Sequence, residues 1–231
     1  MVMRKGQLHF NYQFDSPSTM EGVSKYINPV TTNLLFKDFS EEAPDESEKI
    51  GEIVFDRVFT DHIILDEKYT VFDVFDEDSD FYATYGFKIT NGYEYHKSLK
   101  NRWKDLGYGE TNFIYIYEYW LKPEFRGQKI MLKAILDLID QFQRGISLFV
   151  IMIKPVLESE ILRYPEVNYE IEKHPIRKYD EALSEQKLMN HLSEIGFEKI
   201  EGFSDLMFLN PSELDFEVYE QFELSKRIEI V

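Results

Sequence analysis

The chain has no cysteine, which excludes disulfide cross-links and thiol catalysis and fits a reducing, cytoplasmic compartment. It lacks any apolar run near the roughly 20 residues that a membrane-spanning helix requires. The opening Met1-Val2-Met3-Arg4-Lys5 is basic but has no apolar segment behind it, so no secretory signal is expected. Basic residues are few: 26 Lys and Arg stand against 43 Asp and Glu, a formal net charge of −17. That balance opposes a sequence-independent grip on nucleic-acid phosphates. Neither a nucleic acid nor a membrane is therefore an expected partner. A local basic patch could still hold one anionic small molecule. The acidic surplus suits a cationic amine, a polyamine or a lysine-bearing peptide, unless it serves only to keep the protein soluble. The histidines, at 9, 62, 96, 174 and 191, form no pair at metal-ligand spacing, so no metal is expected. The acidic run from Asp73 to Asp80 lacks the central glycine and terminal glutamate of a calcium loop. A Gly-x-Ser-x-Gly elbow and a phosphate loop ending in Gly-Lys-Ser/Thr are also absent.

What is present suffices for one domain: 231 residues, 43% hydrophobic and 16% aromatic, can bury a sizeable core. Residues 7 to 14 alternate, with Leu8, Phe10, Tyr12 and Phe14 on one face, and predict a strand. Ser18 to Phe36 reads as one or two short helices broken near Asn28-Pro29. Residues 37 to 49, with Pro44 and no apolar period, predict an exposed acidic loop. Residues 50 to 59 and 62 to 66, divided by Thr60-Asp61, predict a hairpin. An insertion over about 67 to 110 is aromatic and acidic and should hold one or two helices around loops.

The remainder is clearer. A strand is predicted over 112 to 121, a helix over 128 to 143 and a strand over 146 to 153. A second insertion, about 154 to 179, contains Pro155, Pro165 and Pro175. A helix over about 180 to 195 and two short strands, 198 to 203 and 205 to 210, precede a short C-terminal extension, 211 to 231. Strand, helix, strand, with apolar runs in both strands, places a β-α-β crossover in the middle of a mixed sheet covered on both faces.

The segment FIYIYEYWLKPEFRGQKIMLKAILDLIDQF, residues 113 to 142, carries the chemistry. Alternation puts Phe113, Tyr115, Tyr117, Tyr119 and Leu121 on one face of its strand, and Ile114, Ile116, Glu118 and Trp120 on the other. Both faces are apolar, so the strand is internal. Glu118 is the exception: it could act as a general base for an ammonium substrate, or it could be ion-paired or solvated. After a turn at Lys122-Pro123-Glu124-Phe125, residues Arg126, Gly127, Gln128, Lys129, Ile130 and Met131 enter the helix. First-turn amides have no partner within a helix and can accept a pyrophosphate, with Arg126 and Lys129 adding charge.

This segment resembles the cofactor-binding core of the GNAT superfamily of N-acetyltransferases. Arg126-Gly127-Gln128 is similar to the start of the family's Arg/Gln-x-x-Gly-x-Gly/Ala motif, and Leu121-Lys122-Pro123-Glu124-Phe125 is similar to its Val-x-Pro-x-Tyr/Phe lead-in. Lys129 and Met131 stand where the family has its two small residues. Leu188, Leu192 and Ile195, followed by Gly196-Phe197, resemble the family's late helix and its Gly-Phe ending. The family's usual thiolate-protonating Tyr corresponds to Leu192, and a common Asn to Glu185. His191 and Tyr179 are the substitutes considered for the missing acid.

The resemblance implies an α/β (α+β) fold: a GNAT-like mixed, mostly antiparallel central sheet with helices on both faces and a central β-α-β crossover. It implies acetyl-CoA as co-substrate, held by Arg126 to Met131, and direct acyl transfer to an amine of a small molecule or peptide. The thioester carbonyl would be polarised by a backbone amide near Trp120 or Leu121, and Glu118 would take a proton. A catalytically degenerate binding or assembly module of the same fold is the alternative. The insertions could form an acceptor wall or a homodimer contact.

Overall fold

The computed structural model describes residues 4–14, 22–40, 46–107, 111–153, 181–223 and 227–230. Its strands are β1 (Arg4–Phe14), β2 (Ile27–Asp38), β3 (Glu48–Val58), β4 (Phe113–Leu121), β5 (Leu148–Met152), β6 (Leu206–Leu209) and β7 (Arg227–Ile230). They form one sheet in the order β6-β5-β4-β3-β2-β1-β7. Every neighbouring pair is antiparallel except β4 and β5, which run parallel. The helices are α1 (Thr60–Asp66), α2 (Val71–Asp78), α3 (Phe87–Ile89), α4 (Lys97–Arg102), α5 (Ile130–Phe142), α6 (Glu181–Ser193) and α7 (Phe216–Glu223). A π-helical turn, Tyr82–Gly86, leads directly into α3. The expected mixed, mostly antiparallel sheet is thus present, and α5 makes the central crossover between its two parallel strands.

Two core layers sit on opposite faces of this sheet. Ile114, Ile116, Phe149 and Ile151 pack on one side with Leu132, Ile135 and Ile139 of α5 and with Leu192 of α6. Phe113, Tyr115, Leu148 and Val150 pack on the other with Val74 and Phe75 of α2 and Leu99 of α4. Helix α5 buries Ile130, Leu132, Ala134, Ile135, Leu136, Leu138 and Ile139. Each large apolar side chain contributes about 1.5–3 kcal/mol of burial, against about 1 kcal/mol for a missing N-cap. The helix therefore stays docked although no side chain caps its start.

Three expectations are corrected. Residues 27 to 38 are a strand and not helices, residues Gly22–Tyr26 form a 3₁₀ turn, and 18 to 21 lie outside the described residues. Val30, Thr32, Leu34 and Phe36 are buried at every second position, a period of two that Asn28-Pro29 masked. Pro29 is tolerated because the missing N–H lies beyond the end of β1, whose pairing stops at Phe14 opposite Val30. The predicted hairpin partner, 62 to 66, is helix α1. Its entry is fixed by the Thr60 hydroxyl against that of Thr111, 2.7 Å apart, and by the Asp61 amide donating to Asn112 Oδ1 at 3.2 Å. A short apolar run cannot by itself distinguish strand from helix. Over 198 to 203 there is only an isolated bridge from Glu198 to Phe208, and the chain turns at Gly202 with φ +94°.

The strict alternation along β4 also fails. Glu118 pairs with Val54 and Ile116 with the next residue, Phe55, so Tyr117 is the extra residue of a β-bulge. Phe113, Tyr115 and Tyr117 pack on the α2 side, whereas Tyr119 and Leu121 pack on the α5 side. One inserted residue exchanges the faces for everything after it. Glu118 and Trp120 consequently follow Tyr117 onto the α2 side.

Candidate active site

β4 pairs with β5 only from Phe113 opposite Leu148 to Ile116 opposite Ile151. Beyond that point β5 stays with β6, and the Ile153 amide donates to the Asp205 carbonyl at 2.9 Å. β4 continues along β3 alone as far as Leu121 opposite Gly51. The two parallel strands therefore part, and one edge of Tyr117–Leu121 has no partner strand among the described residues. The Lys122 amide donates to Ile50 at 2.8 Å, and antiparallel hydrogen bonding alternates by residue. Trp120 accordingly bonds toward β3, while the backbone groups of Tyr119 and Leu121 face the open edge. The Tyr119 hydroxyl spans the gap and donates to the Met152 carbonyl at 2.8 Å.

The segment from β4 to α5 returns to this edge. Arg126 is exposed, and its Nε donates to the Leu121 carbonyl at 2.9 Å. The amides of Gly127, Gln128, Lys129 and Ile130 donate to no acceptor among the described residues. Gly127 takes φ +79°, with open space where a Cβ would stand. Lys129 also has a left-handed backbone, φ 58° and ψ 18°, which costs a non-glycine residue roughly 1–2 kcal/mol. The residue that replaces the motif glycine thus keeps a conformation that glycine adopts freely. Its ammonium pairs with Glu194 at 2.6 Å and lies 5.3 Å from the centre of the Phe222 ring. Ile130 is buried, Gln128 is half-buried, and Met131 packs against the α5-side core, which takes up its bulk.

Among the carboxylates on the α2 side of the sheet, Glu118 and Asp56 stand out. Oε1 of Glu118 is buried and has no hydrogen-bond partner among the described residues. Leaving such an acceptor unsatisfied costs about 1–3 kcal/mol, so the position suits a donor supplied by a ligand. Asp56 on β3 is the second, and residue patterns gave no sign of it. Tyr82 donates to its Oδ2 at 2.9 Å, and the Tyr117 hydroxyl reaches its Oδ1 at 3.5 Å. Burial pushes the Asp56 carboxyl up to about 6; the charge of Asp78 adds to this, while the two tyrosine hydroxyls oppose it. Burial also raises Tyr117, followed by the charges of Asp56 and Glu118. The nearby Lys49 ammonium is engaged by Glu52 at 2.5 Å and lies 5.8 Å from the Trp120 ring centre.

The late helix contributes differently. Leu192 is 1% exposed and belongs to the core, so no hydroxyl stands at that position. His191 is exposed on α6, and Glu185 is half-buried. Gly196, with φ +92°, ends the helix, and the Phe197 amide returns to the Leu192 carbonyl at 3.2 Å, as a glycine C-cap requires. Tyr179 lies outside the described residues. Among the described residues no group of three or more His, Asp or Glu is placed to hold a metal ion, and no helix is long and apolar enough to cross a membrane.

No protein-family model and no curated protein matches the chain. Among solved structures it is similar to the NatC complex bound to Gag peptide and CoA, at 10% identity and a TM-score of 0.36, over 78% of this chain and 70% of that one. It is also similar to a point mutant of KacT, at 7% identity and a TM-score of 0.40, over 93% of this chain and 99% of that one. Both TM-scores and both identities are low, and the fold assignment rests on the strand order and crossover described above.

Proposed function

We propose that this chain is an acetyl-CoA-dependent N-acyltransferase that acts on an amine of a small molecule or peptide by direct transfer. The observation that carries this reading is the row of amides from Gly127 to Ile130 with no acceptor among the described residues, set where β4 has left β5. Amides so placed can accept a diphosphate, and Arg126 and Lys129 add positive charge. The acyl chain would then run along the open edge of β4. There the Leu121 amide, which is not spent on β3, can donate to the thioester oxygen. The amine would approach from the α2 side and attack directly, with Glu118 within its reach. A cytoplasmic location is part of this reading.

Calorimetric and thermal-shift titration with acetyl-CoA tests it. Saturable binding with a raised melting temperature is expected, and no binding at millimolar concentration overturns the proposal. The buried Leu192, standing where the family resemblance puts an acid, favours a second reading: a module that binds without turnover. Acetyl-CoA binding without thiol release across a panel of amines would select that reading.

A further inference from the structure

Asp56 and Glu118 stand on adjacent strands and on the same face of the sheet. Glu118 is opposite Val54, two residues from Asp56, so the pair are diagonal neighbours across the bulge. Tyr117, pushed out by the bulge, lies between them. The groups that set the ionisation of Asp56 are the hydroxyls of Tyr82 and Tyr117 and the carboxylate of Asp78 at the end of α2. No cation is among them, and Lys49 on the same face is already paired with Glu52. A buried negative centre with no counter-ion among the described residues attracts a cation. The two carboxylates differ in how they are held. Asp56 is fixed from beneath by the hydroxyl of Tyr82, itself 1% exposed. Glu118 has a buried oxygen that nothing in the described protein satisfies.

We propose that Asp56 is the proton acceptor for the ammonium of the acyl acceptor, and that Glu118 holds that ammonium beside it. This rests on the acyl-transfer reading above. The acceptor class is a primary alkylammonium, as carried by a polyamine or a lysine side chain. Asp56 takes one proton from the ammonium and later releases it to solvent. The freed lone pair forms the new C–N bond at the thioester carbon. The C–S bond breaks with its electron pair leaving on sulfur, and the second amine proton passes to the thiolate. A base must be largely ionised at working pH yet basic enough to accept a proton. Asp56, ionising near 6, meets both conditions better than an ordinary carboxylate.

The experiment measures thiol release from acetyl-CoA with spermidine, cadaverine and a lysyl peptide amide as acceptors, between pH 5 and 9. Wild type, Asp56→Asn and Glu118→Gln are compared, with acetyl-CoA affinity measured alongside. Wild-type kcat/KM should fall below pH about 6. Asp56→Asn should lower kcat by about 10²-fold or more at every pH and lose that acidic limb, with acetyl-CoA affinity unchanged. Glu118→Gln should raise KM for the amine more than it lowers kcat. An Asp56→Asn variant that keeps the wild-type kcat and acidic limb overturns the assignment. So does a wild type that binds acetyl-CoA but acylates none of the three amines. Failure of wild type to bind acetyl-CoA at all overturns instead the reading on which the assignment rests.

Discussion

Along β4, residues Phe113–Ile116 have a strand on each edge, whereas Tyr117–Leu121 have β3 alone among the described residues. The first half is at most 3% exposed and belongs wholly to the two core layers. The second half carries the bulge, the unpartnered carboxylate oxygen, the hydroxyl that crosses the gap and the backbone groups without a strand partner. One strand therefore carries both the foundation and the candidate site, and a single inserted residue marks the change. The foundation holds the site's geometry because packing on both faces fixes where β4 ends and where α5 begins.

The largest expected effect breaks the closed half. Ile116 is fully buried, and Ile116→Ala should cost about 2–5 kcal/mol in urea denaturation. Trp120→Ala, in the half-buried open segment, should cost half of that or less. Equal losses at the two positions would show that the open half is as much a part of the core as the closed half.

The next effect concerns charge. In the unfolded chain Asp56 ionises near its ordinary value of 3.8, and in the fold burial delays this to about 6. The native state holds this proton more tightly. The resulting stability is fully present below pH 3.8 and is lost as pH rises through 6. Asp56→Asn removes that loss and keeps an acceptor for Tyr82. It should raise stability at pH 8 by roughly 2–3 kcal/mol, and by less than about 1 kcal/mol at pH 4. An equal gain at both pH values would show that the burial of charge is not the cause. Asp56 stands opposite Tyr115, at the end of the closed half, and the hydroxyl of Tyr117, the first residue of the open half, reaches it at 3.5 Å. A residue there that lowers stability at neutral pH is what stability given up for function predicts.

The sequence and the structure agree where period and packing point the same way. β3 and α5 were legible because their apolar residues recur at two or at three to four positions, and β4 and β5 because each lies in a continuous apolar run. The left-handed Gly196 was legible for the same reason, since Leu188, Leu192 and Ile195 set up its helix. The bulge at Tyr117 was not, because an extra residue leaves no mark in composition. Asp56 was hidden because the hydroxyl that holds it belongs to Tyr82, 26 residues later in the chain. The unpaired amides were legible as a possibility at Arg126-Gly127-Gln128, but whether anything caps them depends on neighbours that only the fold brings near. β2 was lost to Asn28-Pro29, a break signal that is real at a strand end and misleading as a helix stop.

The smallest effect on stability, and the sharpest test of the open half, comes from Lys129. Replacing it with glycine relieves a left-handed backbone by about 1 kcal/mol. The change also removes an exposed ion pair with Glu194, worth about 0–1 kcal/mol. These nearly cancel, so Lys129→Gly should unfold within about 1 kcal/mol of wild type. Acetyl-CoA affinity should move more than stability does. Glycine lets a phosphate approach the amides of Gln128 to Ile130 more closely, and the ammonium it removes is already engaged with Glu194. Tighter binding by several-fold in calorimetry is the expected outcome. Weaker binding would mean that the ammonium leaves Glu194 for the phosphate. Unchanged affinity would mean that position 129 does not touch the nucleotide, and that the open half of β4 receives its ligand from another direction.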